Sequence, residues 1–278
     1  MPESSDNIKK SSPLFILGSG RSGTTLLQRV LNSHSEICIW GEHSGFLAQI
    51  AEAYFNFSNE NFRRNVIIPN KNNPGVEGYL KRIRNPINWS AWYNWLTEDS
   101  IKNNFKMFLE SFFNPAGLDV SFWGFKEICY GLDDKVLEFL KEVLPDAKFV
   151  FVVRNPVDTI SSQIAMFYKQ DKKDLSLLAN KWALQNNKYF EFNKNNPGNS
   201  VIIRYEDIVS DNEKTLNKLF SFLSLQCAQK QSEIMYFDSG RGADPRPYLR
   251  RDLLNENEMG LLLNITRETA LKFNYSNQ

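Results

Sequence analysis

The stretch Pro13–Asn32, PLFILGSGRSGTTLLQRVLN, contains in order an apolar run, a glycine-rich loop and an amphipathic segment. The run Leu14–Leu17 predicts a short buried strand. Small residues fill Gly18–Gly23 apart from Arg21 and predict a loop, while the apolar spacing over Thr24–Asn32 predicts a helix. This order directs several backbone N–H groups at one anion, and the planar guanidinium suits phosphate or sulfate. The stretch therefore predicts an anion-binding loop.

The loop differs from the phosphate loop of nucleoside triphosphatases. That loop reads G-x-x-x-x-G-K-[ST], and here the glycine spacing is kept but Thr24 stands where the lysine is required. The buried strand predicted at Phe149–Val153 is followed by Arg154 rather than by an aspartate that could help to hold magnesium. The pattern therefore disfavours a metal-bound triphosphate and favours a nucleotide with separate anionic groups, which two arginines can bind.

Two signatures resemble those of the sulfotransferases that use 3′-phosphoadenosine-5′-phosphosulfate (PAPS). The first is a strand followed by a [KR]-S-G-[ST]-[ST] loop around the 5′-phosphosulfate, and Arg21–Thr25 match it. The second is R-N-P-x-D after a strand, with a serine further along the helix. It is matched by Arg154, Asn155, Pro156, Asp158 and Ser162. The Arg-Ser-Gly-Thr-Thr form is closer to the arginine branch of the family than to the cytosolic enzymes with lysine.

The resemblance implies PAPS as co-substrate and 3′-phosphoadenosine-5′-phosphate (PAP) as product, with no metal. It places the 5′-phosphosulfate at the loop and the 3′-phosphate at Arg154 and Ser162. Tyr205, in a Tyr-Glu-Asp element, is similar to a residue near the adenine or is a capping residue at a strand end. Arg241-Gly242 resembles a late loop over the 3′-phosphate. The predicted cofactor-binding set is Gly20, Arg21, Ser22, Gly23, Thr24, Thr25, Arg154, Ser162, Tyr205, Arg241 and Gly242.

The second predicted strand, Glu36–Trp40, is followed by Gly41-Glu42-His43. Some sulfotransferases, the protein-tyrosine enzymes among them, have a similar glycine–glutamate pair at this distance from the loop, and its glutamate is the base. This chain departs from them in having histidine next. Glu42 is thus either the catalytic base or a solvated loop carboxylate. His43 is the alternative base, because the ordinary pKa of histidine lies nearer neutrality.

A lysine follows the strand predicted over Val120–Phe125. Sulfotransferases of several branches similarly place a lysine just after a central strand, often followed by Thr-Pro or Asp-Pro, whereas here Glu127-Ile128 follows. A cation is needed where the leaving-group oxygen becomes negative. The sequence therefore predicts Glu42, Lys126, Arg21 and His43 as the catalytic set.

Composition limits the function classes. The 278-residue chain is 42% hydrophobic with a net charge of +1, which argues against broad binding to nucleic acid or a membrane surface. Three cysteines without paired spacing predict reduced thiols rather than a disulfide or metal site. The polar first dozen residues have no signal-peptide core, and no apolar run is long enough to span a bilayer. These features predict a cytoplasmic protein.

Five apolar segments, at 14–17, 37–40, 120–125, 149–153 and 200–204, alternate with helical patterns. They predict an α/β fold, a mainly parallel sheet with helices on both faces. This resembles the sulfotransferase fold, a relative of the P-loop nucleoside kinases. We expect a disordered tail over 1–12 and a single domain over 13–278. Within that domain, 44–118 forms a largely helical acceptor-side insertion. The aromatic stretch 89–95 within it either packs onto the sheet or lines an acceptor pocket.

The predicted function is in-line transfer of a sulfuryl group to a hydroxyl or amine of a small-molecule acceptor, a metabolite or natural product. The sequence indicates no nucleic-acid or membrane partner and does not name the acceptor or the oligomeric state. One alternative is a metal-dependent P-loop kinase, which needs the absent lysine and aspartate. Another is a non-catalytic module that binds an adenine nucleotide, which leaves Glu42 and Lys126 without a purpose.

Overall fold

The structure, a computed structural model, describes residues 11–57, 77–78, 80–81, 84–85, 87, 98–115, 118–132, 134–167, 174–227, 231 and 251–275. These residues fall into two compact units. The sheet unit lies within Met1–Gly45, Gly117–Asp133 and Asp146–Gln278, and the helical unit within Phe46–Ala116 and Asp134–Pro145. The single domain with an insertion at 44–118 stays a prediction.

The sheet has five strands in the order β2-β3-β1-β4-β5, and every neighbouring pair is parallel. The strands are β1 Ser12–Gly18, β2 Ile37–Trp40, β3 Phe122–Glu127, β4 Lys148–Val153 and β5 Ser200–Arg204. The predicted α/β class with its parallel sheet is confirmed. Because all the strands run the same way, their carboxyl ends meet at one edge, where ligands of such sheets bind.

The helices follow the predicted alternation. They are α1 Thr24–Asn32, α2 Leu47–Phe57, α3 Glu98–Phe113, α4 Val136–Val143, α5 Pro156–Phe167, α6 Leu175–Asn195, α7 Tyr205–Ser210, α8 Asn212–Phe222 and α9 Glu256–Lys272, with a 3₁₀ turn at Arg251–Leu253. Strand β1 begins at Ser12, which was predicted to belong to the disordered tail. Residues 1–10 of that tail lie outside the described residues. In the part of the chain that is described, no helix has the length and apolar character needed to cross a membrane.

Strand β1 is the centre of the core of the sheet unit. Its residues Leu14–Leu17 are fully buried, as expected for a parallel strand covered on both faces. On one face the ring of Phe15 lies 4.6 Å from that of Phe125 and 5.5 Å from that of Phe149. On the other face Leu14 and Ile16 pack in a cluster with apolar residues of α1 and α8. This packing fixes where the loop after β1 begins.

The helical unit has its own aromatic core. The ring of Tyr54 in α2 lies 5.3 Å from that of Phe105 in α3 and 5.2 Å from that of Phe139 in α4. The Tyr54 hydroxyl donates to Glu142 at 2.6 Å, and burial together with this carboxylate raises the pKa of the phenol. The aromatic stretch 89–95, predicted either to pack or to line an acceptor pocket, lies outside the described residues.

Candidate active site

A cleft of about 250 Å³ opens at the carboxyl edge of the sheet. Its walls come from the loop after β1, the start of α1 and the segments that follow β2, β3, β4 and β5. The lining residues are Gly20, Arg21, Gly23, Thr24, Thr25, Leu26, Glu42, Ile128, Arg154 and Tyr205. Eight of these residues belong to the site predicted from the sequence; Leu26 and Ile128 are additional.

The loop Ser19–Gly23 contains two residues with positive φ. Arg21 has φ 72° and Gly23 has φ 99°, both in the left-handed region. A Cβ on Gly23 would lie 2.3 Å from the ring of Tyr205, so the position also excludes a side chain sterically. Gly23 is the N-cap of α1, and being glycine it gives this helix end no side-chain capping hydrogen bond. An anion in the cleft is the natural partner of such a helix end.

Arg154 follows β4 and is buried, with 6% of its surface exposed. Its Nη1 donates to the carbonyl oxygen of Arg21 at 3.1 Å, and its guanidinium carbon lies 4.7 Å from the centre of the Tyr205 ring. Its Nε and Nη2 have no hydrogen-bond partner among the described residues. A buried cation with unused donors is costly unless an anion joins it. The side chain is therefore arranged to bind one.

Helix α5 brings the second signature against the loop. Arg21 Nε donates to Ser162 Oγ at 3.1 Å, and Gln163 Nε2 donates to the carbonyl oxygen of Gly20 at 2.8 Å. Strands β1 and β4 are neighbours in the sheet, with Gly18 opposite Val152, so the loop and Arg154 leave it side by side. The two signatures therefore meet in one place.

Glu42 belongs to the acid turn, defined as Gly41–Gly45, which follows β2. It lines the cleft, and its carboxylate forms an ion pair with the Lys126 ammonium. Lys126 is buried and lies within β3, one residue before the strand ends, rather than after it. The predicted base and the predicted cation thus contact each other, although Lys126, like Ser162, is not among the described residues that line the cleft.

His43 is not among the residues that line the cleft. Its side chain is 13% exposed, and its Nε2 shares a hydrogen bond of 2.6 Å with the Tyr130 hydroxyl. The imidazole packs edge-on against Phe125, with 4.5 Å between ring centres. Burial lowers the pKa of His43, and the opposing charge of Glu127 offsets this only in part.

The remaining predicted residues are distributed as follows. Thr24, Thr25 and Tyr205 line the cleft. Ser22 is a buried residue of the loop, and its Oγ has no hydrogen-bond partner in the described part of the chain. Arg241 and Gly242 lie outside the described residues, so their predicted contact with the 3′-phosphate stays a prediction.

Comparison with known proteins identifies the family. The model of the sulfotransferase family matches residues 13–112 and 135–229, more than half of the chain. The chain belongs to the sulfotransferase family. It is therefore a PAPS-dependent sulfotransferase, as its two signatures predicted. Among curated proteins, no sequence matches this sulfotransferase.

Solved structures share the fold of this sulfotransferase at low sequence identity. The sulfotransferase domain of the Synechococcus PCC 7002 olefin synthase superposes with a TM-score of 0.61 at 17% identity, covering 97% of each chain. The sulfotransferase domain from the curacin biosynthetic pathway has a TM-score of 0.53 at 18% identity, covering 96% of this chain and 99% of its own. A sulfotransferase from Alicyclobacillus acidocaldarius gives 0.50 at 14% identity, covering 95% and 94%.

One buried charged residue beside the site was not predicted from the sequence. The Glu127 carboxylate, in β3 of this sulfotransferase, is fully buried and accepts the backbone N–H groups of His43, Gly45 and Ile128 at 3.0, 3.1 and 2.8 Å. Burial alone raises the pKa of Glu127, but these three bonds and the nearby imidazole lower it below its ordinary value. A charged residue inside an apolar strand is the signal that could have indicated this position.

A buried network of hydrogen bonds also connects the loops that form the site. Gln185 in α6 donates to the carbonyl oxygens of Ile128 and Tyr130 at 2.9 and 2.7 Å, and it accepts the Ser19 hydroxyl at 2.8 Å. It therefore connects the segments after β1 and β3. Nothing local in the helical pattern around Gln185 indicates these contacts, because they depend on which loops the helix crosses.

Proposed function

We propose that this sulfotransferase binds PAPS in the cleft and transfers its sulfuryl group in line to a hydroxyl or amine of a small-molecule acceptor. The observation that supports this most is the buried Arg154, whose Nε and Nη2 have no hydrogen-bond partner among the described residues. It lies in the same cleft as Arg21 and the open end of α1. A nucleotide with two separate anionic groups fits such an arrangement.

Arg154 and Ser162 hold the 3′-phosphate in this proposal. The unused guanidinium donors supply charge-assisted hydrogen bonds, which are about twice as strong as neutral ones. The ring of Tyr205 supports the guanidinium from one side. This contact distinguishes PAPS from adenine nucleotides that lack a 3′-phosphate.

The loop and α1 hold the 5′-phosphosulfate. The contributing groups are the loop N–H groups, the guanidinium of Arg21 and the hydroxyls of Thr24 and Thr25, all of which line the cleft or border it. A helix N-terminus without a side-chain cap favours negative charge by its dipole. Because these cations and N–H groups supply the positive charge, the proposed binding needs no metal.

Glu42 takes the proton of the acceptor as its oxygen or nitrogen attacks sulfur. General-base catalysis of this kind contributes typically ~10²–10⁴-fold to the rate. Lys126 neutralises the bridging oxygen as its bond to sulfur breaks, worth about 10²–10³-fold by analogy with single electrostatic donors. The ion pair between the two side chains supports this assignment, because it keeps the proposed base and the proposed cation next to each other.

The acceptor is proposed to be a metabolite or natural product. Two of the structures that share the fold come from an olefin synthase and from the curacin biosynthetic pathway, which supports an acceptor of this kind. The test is incubation with labelled PAPS and a fractionated cell extract, followed by mass spectrometry of the products. We expect one small molecule to gain a sulfuryl group, and transfer to protein or glycan only would contradict the proposal.

Isothermal titration separates this function from the alternatives. We expect PAP to bind without magnesium and ATP to bind weakly with or without it. Tight binding of ATP that requires magnesium would favour a kinase. Tight binding of PAP with no sulfuryl transfer to any extract fraction would favour a non-catalytic nucleotide-binding module.

A further inference from the structure

Two consecutive residues of β3 contact the same turn by different groups. Lys126 forms its ion pair with the side chain of Glu42, while Glu127 binds the backbone of the acid turn. Through Oε2 it accepts the N–H groups of His43 at 3.0 Å and Gly45 at 3.1 Å. The charged end of β3 therefore contacts both the proposed base and the backbone that follows it.

The sheet register explains why these groups meet. Strands β2 and β3 are parallel neighbours, with Trp40 opposite Phe125. The acid turn after β2 and the last two residues of β3 therefore leave the sheet next to each other. Side chains alternate along a strand, so Lys126 and Glu127 reach the turn from opposite faces.

The acid turn has a backbone that needs such support. Ser44 has φ 57° and Gly45 has φ 69°, so two successive residues are in the left-handed region. For a residue other than glycine, such as Ser44, that region carries a steric penalty. Glu127 satisfies the N–H groups on both sides of Ser44, which stabilises this conformation against a relaxed one that would move Glu42.

The Glu127 carboxylate is held mainly by backbone groups. It is fully buried, and its other oxygen accepts the N–H of Ile128 at 2.8 Å. His43 Nδ1 is 3.6 Å away and belongs to a ring whose pKa burial lowers. The backbone donors outweigh the cost of burying this carboxylate and lower its pKa, so the ionised form stabilises the conformation of the acid turn.

We propose that Glu127 is a positioning residue that fixes the acid turn, so that the Glu42 carboxylate stays at the cleft against Lys126. The inference rests on the proposed role of Glu42 as base and adds the residue that sets its place. It assigns Glu127 no contact with substrate.

The test replaces Glu127 by its isostere, Glu127→Gln. The amide nitrogen cannot accept a hydrogen bond, so either Ile128 or the pair His43 and Gly45 loses its acceptor. We expect kcat to fall roughly 10–100-fold, the effect of a small misplacement of a reacting group, while KM for PAPS and the affinity for PAP stay unchanged. Hydrogen exchange at the His43, Gly45 and Ile128 amides, read by NMR without any substrate, should become faster at the amides that lose their acceptor.

A double variant shows whether Glu127 acts through Glu42. Adding Glu127→Gln to Glu42→Gln should cost no further rate, whereas a general structural defect would reduce the rate in both backgrounds. Glu36→Gln is the matched control, because Glu36 accepts the Ser121 hydroxyl near the opposite end of β3. We expect the control to lower stability without changing kcat.

A second variant approaches the same hydrogen bonds from the turn. Gly45→Ala retains the N–H but penalises the positive φ, and its Cβ would meet Cys129 Cβ at 3.0 Å. We expect the same fall in kcat with PAP affinity kept, so the inference stays testable if Glu127→Gln does not fold. An unchanged kcat in both folded variants, or a parallel loss of kcat and PAP affinity, would overturn it.

Failure of the inference and failure of the proposed function give different results. If Glu42→Gln keeps the full rate, the proposed base is wrong, and the inference falls with it. If Glu42→Gln is inactive but Glu127→Gln is as fast as the parent enzyme, only the inference is wrong. Unchanged amide exchange at all three of His43, Gly45 and Ile128 in Glu127→Gln would also overturn the inference, whatever the reaction.

Discussion

At the residue scale, Glu42 and Lys126 form an ion pair but differ in how far their side chains are exposed to solvent. The lysine side chain is 6% exposed, while the glutamate side chain is 43% exposed and lines the cleft. A buried ammonium needs its counter-ion more than an exposed carboxylate does. In the proposed mechanism, Glu42 takes up the acceptor proton from the cleft, while Lys126 stays beside the leaving oxygen as negative charge develops on it.

Changing Glu42 tests the base directly. Glu42→Gln keeps the size of the side chain but cannot take a proton at neutral pH. We expect kcat to fall ~10²–10⁴-fold while the affinity for PAP, measured by titration calorimetry, is kept. A full rate in this variant would instead direct attention to His43, whose replacement by Asn would then have to abolish turnover.

Gly23 is the position where the loop tolerates no side chain. Its φ of 99° is unfavourable for alanine, and a Cβ added to Gly23 would lie only 2.3 Å from the Tyr205 ring. We expect Gly23→Ala to cost about 1–3 kcal/mol in the free energy of unfolding and to weaken PAP binding. Gly198→Ala, where a Cβ would meet nothing within 4 Å, is the control. Equal stability of the two variants in urea unfolding would contradict the account.

Residues within a local motif were predictable, and residues that act across the fold were not. The loop at Arg21 and the turn at Arg154 carry their chemistry in short contiguous patterns. Glu127 and Gln185 act on backbone groups of segments distant in sequence, with His43 84 residues away from Glu127 and Ile128 57 residues away from Gln185. Such contacts follow from strand order, which a single sequence does not state.

At the element scale, several contacts hold the N-terminus of α5 next to Arg154. Asn155 Oδ1 accepts the N–H of Val157 at 2.9 Å, and the Asn155 N–H donates to Glu206 at 2.9 Å. Asp158 accepts two hydrogen bonds from Arg251, at 2.7 and 3.1 Å. The second signature is therefore also a structural joint between α5, α7 and the segment before α9.

Asp158→Asn tests that joint. Asp158 is buried, but Arg251 is 39% exposed, so solvent reduces the value of the pair. We expect a loss of about 1–2 kcal/mol in the free energy of unfolding, measured in urea. Glu191→Gln breaks the more exposed pair with Lys272 and should cost about 0.5 kcal/mol or less. Equal losses in the two variants would show that Asp158 is not a structural joint.

The predicted strands agree with the structure because buried parallel strands are continuous apolar runs. The difference at β3 has a physical reason. The strand was predicted to end at Phe125, but hydrogen-bonded pairing with β1 continues to Glu127, opposite Leu17. The charged residues Lys126 and Glu127 interrupt the apolar pattern, so the sequence does not indicate that the strand continues. Both can remain in the strand because each contacts the turn after β2.

At the scale of the whole molecule, acid should destabilise the fold in two stages. Burial lowers the pKa of His43 below 6.5, and backbone N–H groups outweigh burial to lower the pKa of Glu127 below 4.5. Both groups bind more protons in the unfolded chain, so the free energy of unfolding falls as pH falls. The histidine contribution is lost as pH falls below 6.5, and the glutamate contribution as pH falls below 4.5.

Urea unfolding across this pH range measures the effect. His43→Gln should remove the first stage and leave the second. A free energy of unfolding that rises as pH falls below 6.5, or a first stage that persists in His43→Gln, would contradict the assignment.

The whole fold is what brings the two arginines together. Arg154 donates to the backbone of a residue 133 positions earlier in the chain. The sequence predicted a shared cleft from two family signatures, and parallel pairing of β1 with β4 supplies the physical reason, because both signatures then begin at the same edge. The path of α6 beneath the loops, with its buried amides, could not be derived from either signature.

The most direct test of the account is the preference for PAP over 5′-AMP, measured by titration calorimetry in the parent enzyme and in Arg154→Ala. We expect the parent to prefer PAP roughly 10–100-fold, the value of charge-assisted hydrogen bonds to one phosphate, and the variant to lose most of this preference while its affinity for 5′-AMP is kept. Arg29→Ala, in the last turn of α1 and away from the cleft, should change neither affinity. A variant at Arg154 that still prefers PAP as strongly as the parent would contradict the claim that this residue binds the 3′-phosphate.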